Sequence, residues 1–469
     1  MIGLVLVALA ATLALAGCGG AQDEAGSTRQ TEAAAFGNPP PIAGGPLDSQ
    51  VDEALDRLIG TAAVGGFDGE ALRVVADSGD GRLGWPISDL LRFFQGGTEE
   101  EALVSAFSEL TGIDVGGEPD FAEGAWVAVT DRMIAWDLPA PPGYRKRKGE
   151  LFLAVEPAWK PFFADADAEI DWRLISWGGV LIDDRPLGDD DPCPQGCIPA
   201  LDDPALTSAQ DGDWYPDERT VFGVVAGGEA VALPKNVMEV HEMVNITIGG
   251  RRLGIPYCTL CGSAQAYFLD TGARRAEPPV LRTSGLLSRS NKVMYDLRTR
   301  SVLDTFTGRA LSGPLQEAGA TLPQTTVVAS SWGEWKRAHP RTRIVAEDGG
   351  IGLEYPLDPL GGRDDEGPIF PVGDVDPRLP VQAEVVGVIS PGGRPVAFAV
   401  EPARAALAQN ERVALGRVEV VADGDGLRAL APNGAEVPAH QAFWFAWSQF
   451  HPGTELWSRS PGELRAQGD

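Results

Sequence analysis

Two cysteine pairs carry the reactive groups of this chain, Cys193-Pro-Gln-Gly-Cys197 and Cys258-Thr-Leu-Cys261-Gly262. A Cys-x-x-Cys turn lets two thiolates converge on one ion, and a following glycine can adopt positive φ, turning backbone N–H groups toward sulfur. His241 ends a short apolar run ahead of the hairpin that leads into Cys258, so folding back of that hairpin is expected to bring its imidazole beside the turn. Met294 offers a thioether. The expected metal ligands are therefore His241, Cys258, Cys261 and Met294, a soft set suited to copper(I) and less well to zinc. His241-Glu242 is not a zincin motif, because Asn245 and not a second histidine stands at i+4. A thioredoxin-type redox site fits less well, since a strand enters Cys258 and no βαβ frame surrounds it.

The other pair is read differently. Cys193 follows Asp189, Asp190 and Asp191, whose charges disfavour a thiolate, so an oxidised Cys193–Cys197 bridge is expected. A four-thiolate zinc site built from both pairs is the competing arrangement, but an oxidising compartment works against four reduced thiols. That compartment is indicated by the N-terminus. Residues 1–17 form an apolar signal ending Leu15-Ala16-Gly17-Cys18, a lipobox in which Cys18 is lipidated. No Lys or Arg precedes Arg29, so the basic start of such a signal is missing. Acyl chains on Cys18 make the lipid bilayer the expected partner, at ~0.8 kcal/mol per buried CH₂. The net charge of −29 excludes nucleic acid as a partner and disfavours adsorption on anionic lipid. No protein partner can be named. No later apolar run approaches the ~18 residues that a spanning helix needs.

The elements that hold these residues change character along the chain. Residues 18–50, rich in Gly, Ala, Pro, Ser and Gln, read as a flexible tether. From 51 to 135 the apolar spacing is helical: Val51, Leu55, Leu58 and Ile59, then Ile87, Leu90, Leu91 and Phe94 behind Pro86, then Leu103, Phe107 and Leu110. Thr98 and Glu101 suggest a capping box before the last group, and Gly112 a stop after it. A connecting segment is expected over 136–190. From about 220 the period becomes two, with glycine-turned hairpins over 220–233 and 245–257. Trp332-x-x-Trp335-x-x-x-His339-Pro340 recurs 112 residues later as Trp444-x-x-Trp447-x-x-x-His451-Pro452. The fold class is thus α+β: a helical-repeat-like N-terminal region, then a mainly β body of two related halves. The first half, 191–350, holds the cysteines; the shorter second, 351–469, has none.

At these residues the chain resembles a known bacterial family. CIPALDDP (197–204), VFGVVAGGEAVALP (221–234), HEMVN (241–245), PYCTLCGSA (256–264), SGLL (284–287), VMYD (293–296) and TGRALSGPL (307–315) are similar to the family catalogued as domain of unknown function 3179, over about 170–460. The resemblance implies an extracytoplasmic, often lipid-anchored protein with a C-P-L-C-type pair, and it implies no reaction. The matching positions are His241, Glu242, Asn245, Cys258, Cys261, Ser284 and Met294, which makes Glu242, Asn245 and Ser284 supporting residues of the site. Thr259 departs from the family's proline, Val302-Leu303-Asp304 from its Leu-Trp-Ser run, and the Cys193/Cys197 pair from its pattern. The expected function is a membrane-anchored envelope lipoprotein with a copper-type site. The alternatives are a non-catalytic scaffold with structural disulfides and a thiol–disulfide redox protein.

Overall fold

The computed structural model describes residues 36–117, 124–189, 191–193, 195–271, 277–363 and 367–458. The apolar leader and Cys18 lie outside the described residues. The stretch expected to be a loose tether is held from Phe36 onward. The Trp136 indole N–H donates to the Phe36 and Gly37 carbonyls at 3.2 Å each, and Asp80 accepts from the Ala43 amide at 3.3 Å.

Helices follow at Ser49–Ala63, Gly69–Asp77, Gly84–Phe93, Gly97–Thr111, Ala125–Trp136, Tyr144–Val155 and Lys160–Ala164, so helical structure continues past residue 135. Their apolar stripes meet in one core, with Leu55, Leu58, Leu90, Leu91, Leu103 and Phe107 fully buried. The capping box does not form. Gly96 and Gly97 both take positive φ and start the helix at Gly97, so Thr98 already lies inside the first turn. Glu100 instead reaches back and accepts from the Gly96 N–H at 2.8 Å. Gly112, at φ 74°, closes the helix as expected. Among the described residues, no helix is long and apolar enough to cross a membrane.

The β body consists of small sheets arranged like the blades of a five-bladed propeller. The sheet next to the helices joins Ile175–Trp177, Leu281–Ser288, Asn291–Asp296 and Val302–Asp304. Its Leu286, Val293, Tyr295 and Val302 complete the helical core, so helices and first sheet form one packed layer pair. The next sheet is built on the hairpin Met243–Ile248/Arg251–Cys258, and the third on Thr220–Ala226/Glu229–Pro234. Both hairpins turn at Gly-Gly as the sequence predicts, and the two turns abut. A Cβ on Gly227 would lie 2.1 Å from the Gly249 oxygen, which excludes any side chain there.

The third and fourth sheets share one plan. In each, a hairpin (Thr220–Ala226/Glu229–Pro234, or Glu384–Ile389/Pro395–Ala399) takes an antiparallel strand on one edge and a parallel strand on the other. The Trp-His-Pro elements occupy matching places: the Trp335 indole donates to Thr342 Oγ1 at 3.0 Å and the Trp447 indole to Thr454 Oγ1 at 2.9 Å. Each of these indoles fills the space above a strand glycine. A Cβ on Gly223 would meet Trp335 at 2.4 Å, and one on Gly387 would meet Trp447 at 2.0 Å. The correspondence thus runs sheet to sheet.

Gly387→Ala is expected to lower unfolding stability by about 1–3 kcal/mol through overpacking against Trp447. Gly392→Ala, where a Cβ meets only Ser390 Oγ at 3.9 Å, should stay within about 0.5 kcal/mol of the parent. Urea unfolding midpoints read both; equal midpoints for the two variants would contradict the packing argument.

Candidate functional site

The strand Arg251–Cys258 delivers the first thiol, a single 3₁₀ turn over Thr259–Cys261 delivers the second, and Gly262 ends the turn at φ 56°. The Phe443 ring lies 2.9 Å from where a Gly262 Cβ would stand, so the fourth sheet roofs the turn. Cys258 and Cys261 are free thiols, both buried, and lie 3.7 and 3.5 Å from the same acceptor, the Ser290 carbonyl. Burial raises both thiols, but for Cys258 a hydrogen bond from Cys261, the Lys292 amide and the Lys292 charge reverse the direction and hold it below its ordinary value. Burial and the neighbouring Cys258 sulfur push Cys261 well up. Cys258 is thus the more acidic of two thiols that share one carbonyl acceptor.

The cation beside the sulfurs is Lys292, on the strand Asn291–Asp296. Its side chain is nearly fully buried and pairs with Glu242 Oε2 at 3.1 Å, and its ammonium also donates to the Glu242 carbonyl. Burial pulls the Lys292 ammonium below its usual range, against the opposing pull of Glu242 and the two sulfurs. Thr259 Oγ1 donates to the other Glu242 oxygen at 3.1 Å, which ties the Cys-x-x-Cys turn to the ion pair. Glu242 ends the helix Lys235–His241 in left-handed conformation at φ 51°, a conformation that costs a non-glycine residue about 1–3 kcal/mol. Its carbonyl accepts from the Tyr257 N–H at 2.9 Å, one residue before Cys258.

The expected ligand set does not assemble. Among the described residues no three His, Cys, Asp or Glu side chains gather as a metal site. His241 is buried with both ring nitrogens engaged: Nδ1 donates to the Pro199 carbonyl and Nε2 accepts from the Tyr355 hydroxyl, each at 2.7 Å. A carbonyl can only accept, so the proton is fixed on Nδ1 and no lone pair remains for a metal. Met294 packs into an apolar cluster with Met243, Leu281 and Leu303, distinct from the cluster that holds the two cysteines. Asn245 and Ser284 serve the frame. Asn245 bonds both the carbonyl and the N–H of Leu281 and reaches Asp202. Ser284 Oγ donates to the Val293 carbonyl at 2.6 Å and accepts from the Leu286 N–H across a bulge. Of the supporting residues, Glu242 alone faces the sulfurs' cation. Cys193 and Cys197 form the expected disulfide, so they do not join the other pair in a four-thiolate set.

Sequence reasoning missed Lys292, the residue before the V-M-Y-D motif. A lysine inside a strand whose other residues are all buried is the signal that would have found it. It also missed a set of buried polar atoms without hydrogen-bond partners at Ser263, Gln265, Ser290, Asn291 and His440. Four of these residues flank the Cys-x-x-Cys turn or Lys292 in sequence. Unmade hydrogen bonds at buried atoms cost about 1–3 kcal/mol each, and such groups ordinarily find a water or a ligand. A cleft of about 70 Å³ reaches the turn at Leu260, lined by Glu242, Lys292 and the whole Ser284-Gly285-Leu286-Leu287 run.

A family model described as "Protein of unknown function (DUF3179)" matches residues 195–433. The match takes in the Cys-x-x-Cys turn, Glu242 and Lys292, and begins after Cys193. No curated protein and no solved structure matches the chain.

Burial lowers His241 and His451 to about 4 and, together with the nearby His451, lowers His440 to about 3. In the unfolded chain each titrates near 6.5. Between those values the unfolded state binds more protons, so stability is intact above pH 6.5 and declines as pH falls toward 4. Urea midpoints measured from pH 7 to pH 4.5 should fall steadily, and a flat profile would show that these rings are not held neutral.

Proposed function

The chain belongs to the DUF3179 family, and on that premise we propose that it is a cell-envelope lipoprotein whose Cys258 and Cys261 form a thiol–disulfide redox centre. The observation that carries this reading is the pairing of two buried thiols, one lowered and one raised, beside the buried ammonium of Lys292. In the oxidising direction the Cys258 thiolate attacks one sulfur of a disulfide, whose other sulfur leaves as a thiolate. Cys261 then loses its proton and attacks Cys258 Sγ, and the second sulfur leaves. Two electrons pass to the incoming disulfide, and Cys258–Cys261 becomes the new bridge. Lys292 steadies the attacking thiolate. The scaffold reading is weaker, because a purely structural pair in an oxidising compartment is expected to be closed.

The soft-metal reading keeps a narrower form. Without His241 and Met294 the donors are two sulfurs facing one carbonyl, a set that suits copper(I). Zinc, which takes four ligands in structural sites, is served less well. Placement rests on the lipobox: diacylated Cys18 is the anchor, the bilayer the partner, and the signal 1–17 is removed. The shared plan of the third and fourth sheets supports reading 191–350 and 351–469 as products of duplication, with the cysteines confined to the first.

Reduced full-length protein in detergent should form a Cys258–Cys261 bridge on treatment with hydrogen peroxide and lose it in dithiothreitol, as read by peptide mapping. Cys258→Ser should abolish both changes. If the wild-type pair stays reduced under peroxide, the redox reading is wrong, and retention of copper(I) against a chelator by the wild type but not Cys258→Ser would put the metal reading in its place. Separately, Cys18→Ser should move the protein from the membrane to the soluble fraction. Membrane retention of that variant would overturn the anchor.

A further inference from the structure

Charged side chains also gather where the helices meet the first sheet. A cleft there is lined by Asp89, Arg92, Arg173 and Arg289, three cations against one anion in a chain of net charge −29. Two of the four are balanced within the fold. Asp89 accepts from Lys148 Nζ and from the Tyr144 hydroxyl at 2.7 Å each. Arg173 pairs with Asp171 and Asp137 at 2.6 and 2.8 Å. Arg92 and Arg289 are left over, and among the described residues neither forms an ion pair. Arg92 Nε donates to the Trp177 carbonyl at 2.7 Å, and its Cζ lies 4.6 Å from the Trp126 ring and 5.1 Å from the Trp177 ring. Arg289 Nη1 reaches the Val372 carbonyl at 3.4 Å. Arg289 also takes a left-handed φ of 54° in the turn between the strands Leu281–Ser288 and Asn291–Asp296, a conformation that costs a non-glycine residue about 1–3 kcal/mol.

Two half-buried guanidiniums lining one cleft leave its charge unbalanced. Burial lowers Arg92 to about 10 and lowers Arg289 as well, against the pull of Asp374, Asp137 and Asp171. The aromatic faces offset part of this at Arg92, by about 0.5–2 kcal/mol. A buried ion loses several kcal/mol of hydration, so the rings alone do not balance the site and an anion would. The size of the cleft decides which anion. It measures about 10 Å³, about the room that one water needs, so carboxylate, phosphate and sulfate groups are too large. We propose that Arg92 and Arg289 hold a single chloride ion in this cleft. Chloride is the monatomic anion abundant in the media around cells, and it accepts hydrogen bonds from guanidinium N–H groups. Arg92 has committed only Nε to the fold, so its two terminal nitrogens can donate to the ion. The ion ties the end of the helix Gly84–Phe93 to the turn at Arg289 and screens the repulsion between the two cations. That turn continues into Ser290, whose carbonyl faces both thiols. The site does not depend on what chemistry those thiols perform.

Urea unfolding of the full-length protein in detergent tests this, with sodium gluconate exchanged for sodium chloride at constant ionic strength. Gluconate is too bulky for the cleft. A ligand that binds only the folded state multiplies the folding equilibrium constant by 1 + [L]/Kd. Raising chloride from a tenth of its Kd to ten times its Kd should therefore raise that constant about tenfold, and bromide should substitute for chloride. In Arg289→Gln, which keeps donors but not the charge, the chloride dependence should be lost. A crystal of the parent protein soaked in bromide should show an anomalous peak between the Arg92 and Arg289 guanidiniums, a result that needs no variant to fold. A parent midpoint unchanged across the chloride series, or equal chloride dependence in parent and Arg289→Gln, would overturn the site. Bromide peaks found only elsewhere would overturn it too.

Discussion

A buried ion pair, Lys292 with Glu242, is the constraint around which this site is organised. Taking a lysine and a glutamate out of water costs several kcal/mol per ion, and removing one partner of such a pair typically costs about 3–5 kcal/mol. The pair is therefore held from several sides. Thr259 bonds the Glu242 carboxylate, the Glu242 carbonyl fixes Tyr257, and Thr305 Oγ1 fixes the Lys292 carbonyl at 2.7 Å. Glu242 accepts a left-handed backbone to be there. The helix end, the Cys-x-x-Cys turn and the strand of the first sheet are in this way three elements fixed to one electrostatic contact.

The helical region and the cysteine-free part of the chain both act on that contact from outside. Trp159, just past the helix Tyr144–Val155, donates its indole N–H to the Ser284 carbonyl at 2.7 Å and so buttresses the bulge that lines the cleft. From the other side, Phe443, Trp444, Phe445 and Trp447 close over the thiols in one apolar cluster with Phe306. The Trp159 and Trp447 side chains on these flanks are buried. In that low-dielectric surrounding an ammonium acts on a thiolate far more strongly than it would at the surface.

What the sequence made legible was local. The two Gly-Gly hairpins, the turn that ends at Gly262 and the Cys193–Cys197 bridge all depend on residues a few positions apart. The failures are long-range. A hairpin does return the chain beside its start, but where the His241 ring points was decided by Pro199 and Tyr355, which lie 42 and 114 residues away. Met294 reads equally well as ligand or core until the register sets it opposite Leu303 and Thr283. The division into small sheets was hidden for the same reason, since strands such as Ile175–Trp177 pair with residues more than a hundred positions later. Lys292 was hidden by a sound rule, that lysine belongs in water. It is the exception here because Glu242 pairs with it inside the fold.

The ion pair also bears on which redox state the buried cysteines favour. On the redox reading proposed above, closing Cys258–Cys261 into a disulfide removes the sulfur charge that Lys292 would neutralise and leaves the ammonium with Glu242 alone. Burial already pulls the Lys292 ammonium below its ordinary range, so that loss falls on a cation poorly placed to bear it. On that reading the ammonium favours the reduced pair over the bridge. At the other pair Cys193 Sγ accepts from the Cys197 N–H at 3.2 Å, and there the disulfide has formed. One chain thus holds a free thiol pair at Cys258 and Cys261 and a disulfide at Cys193 and Cys197, and only the first is set beside the Lys292–Glu242 ion pair.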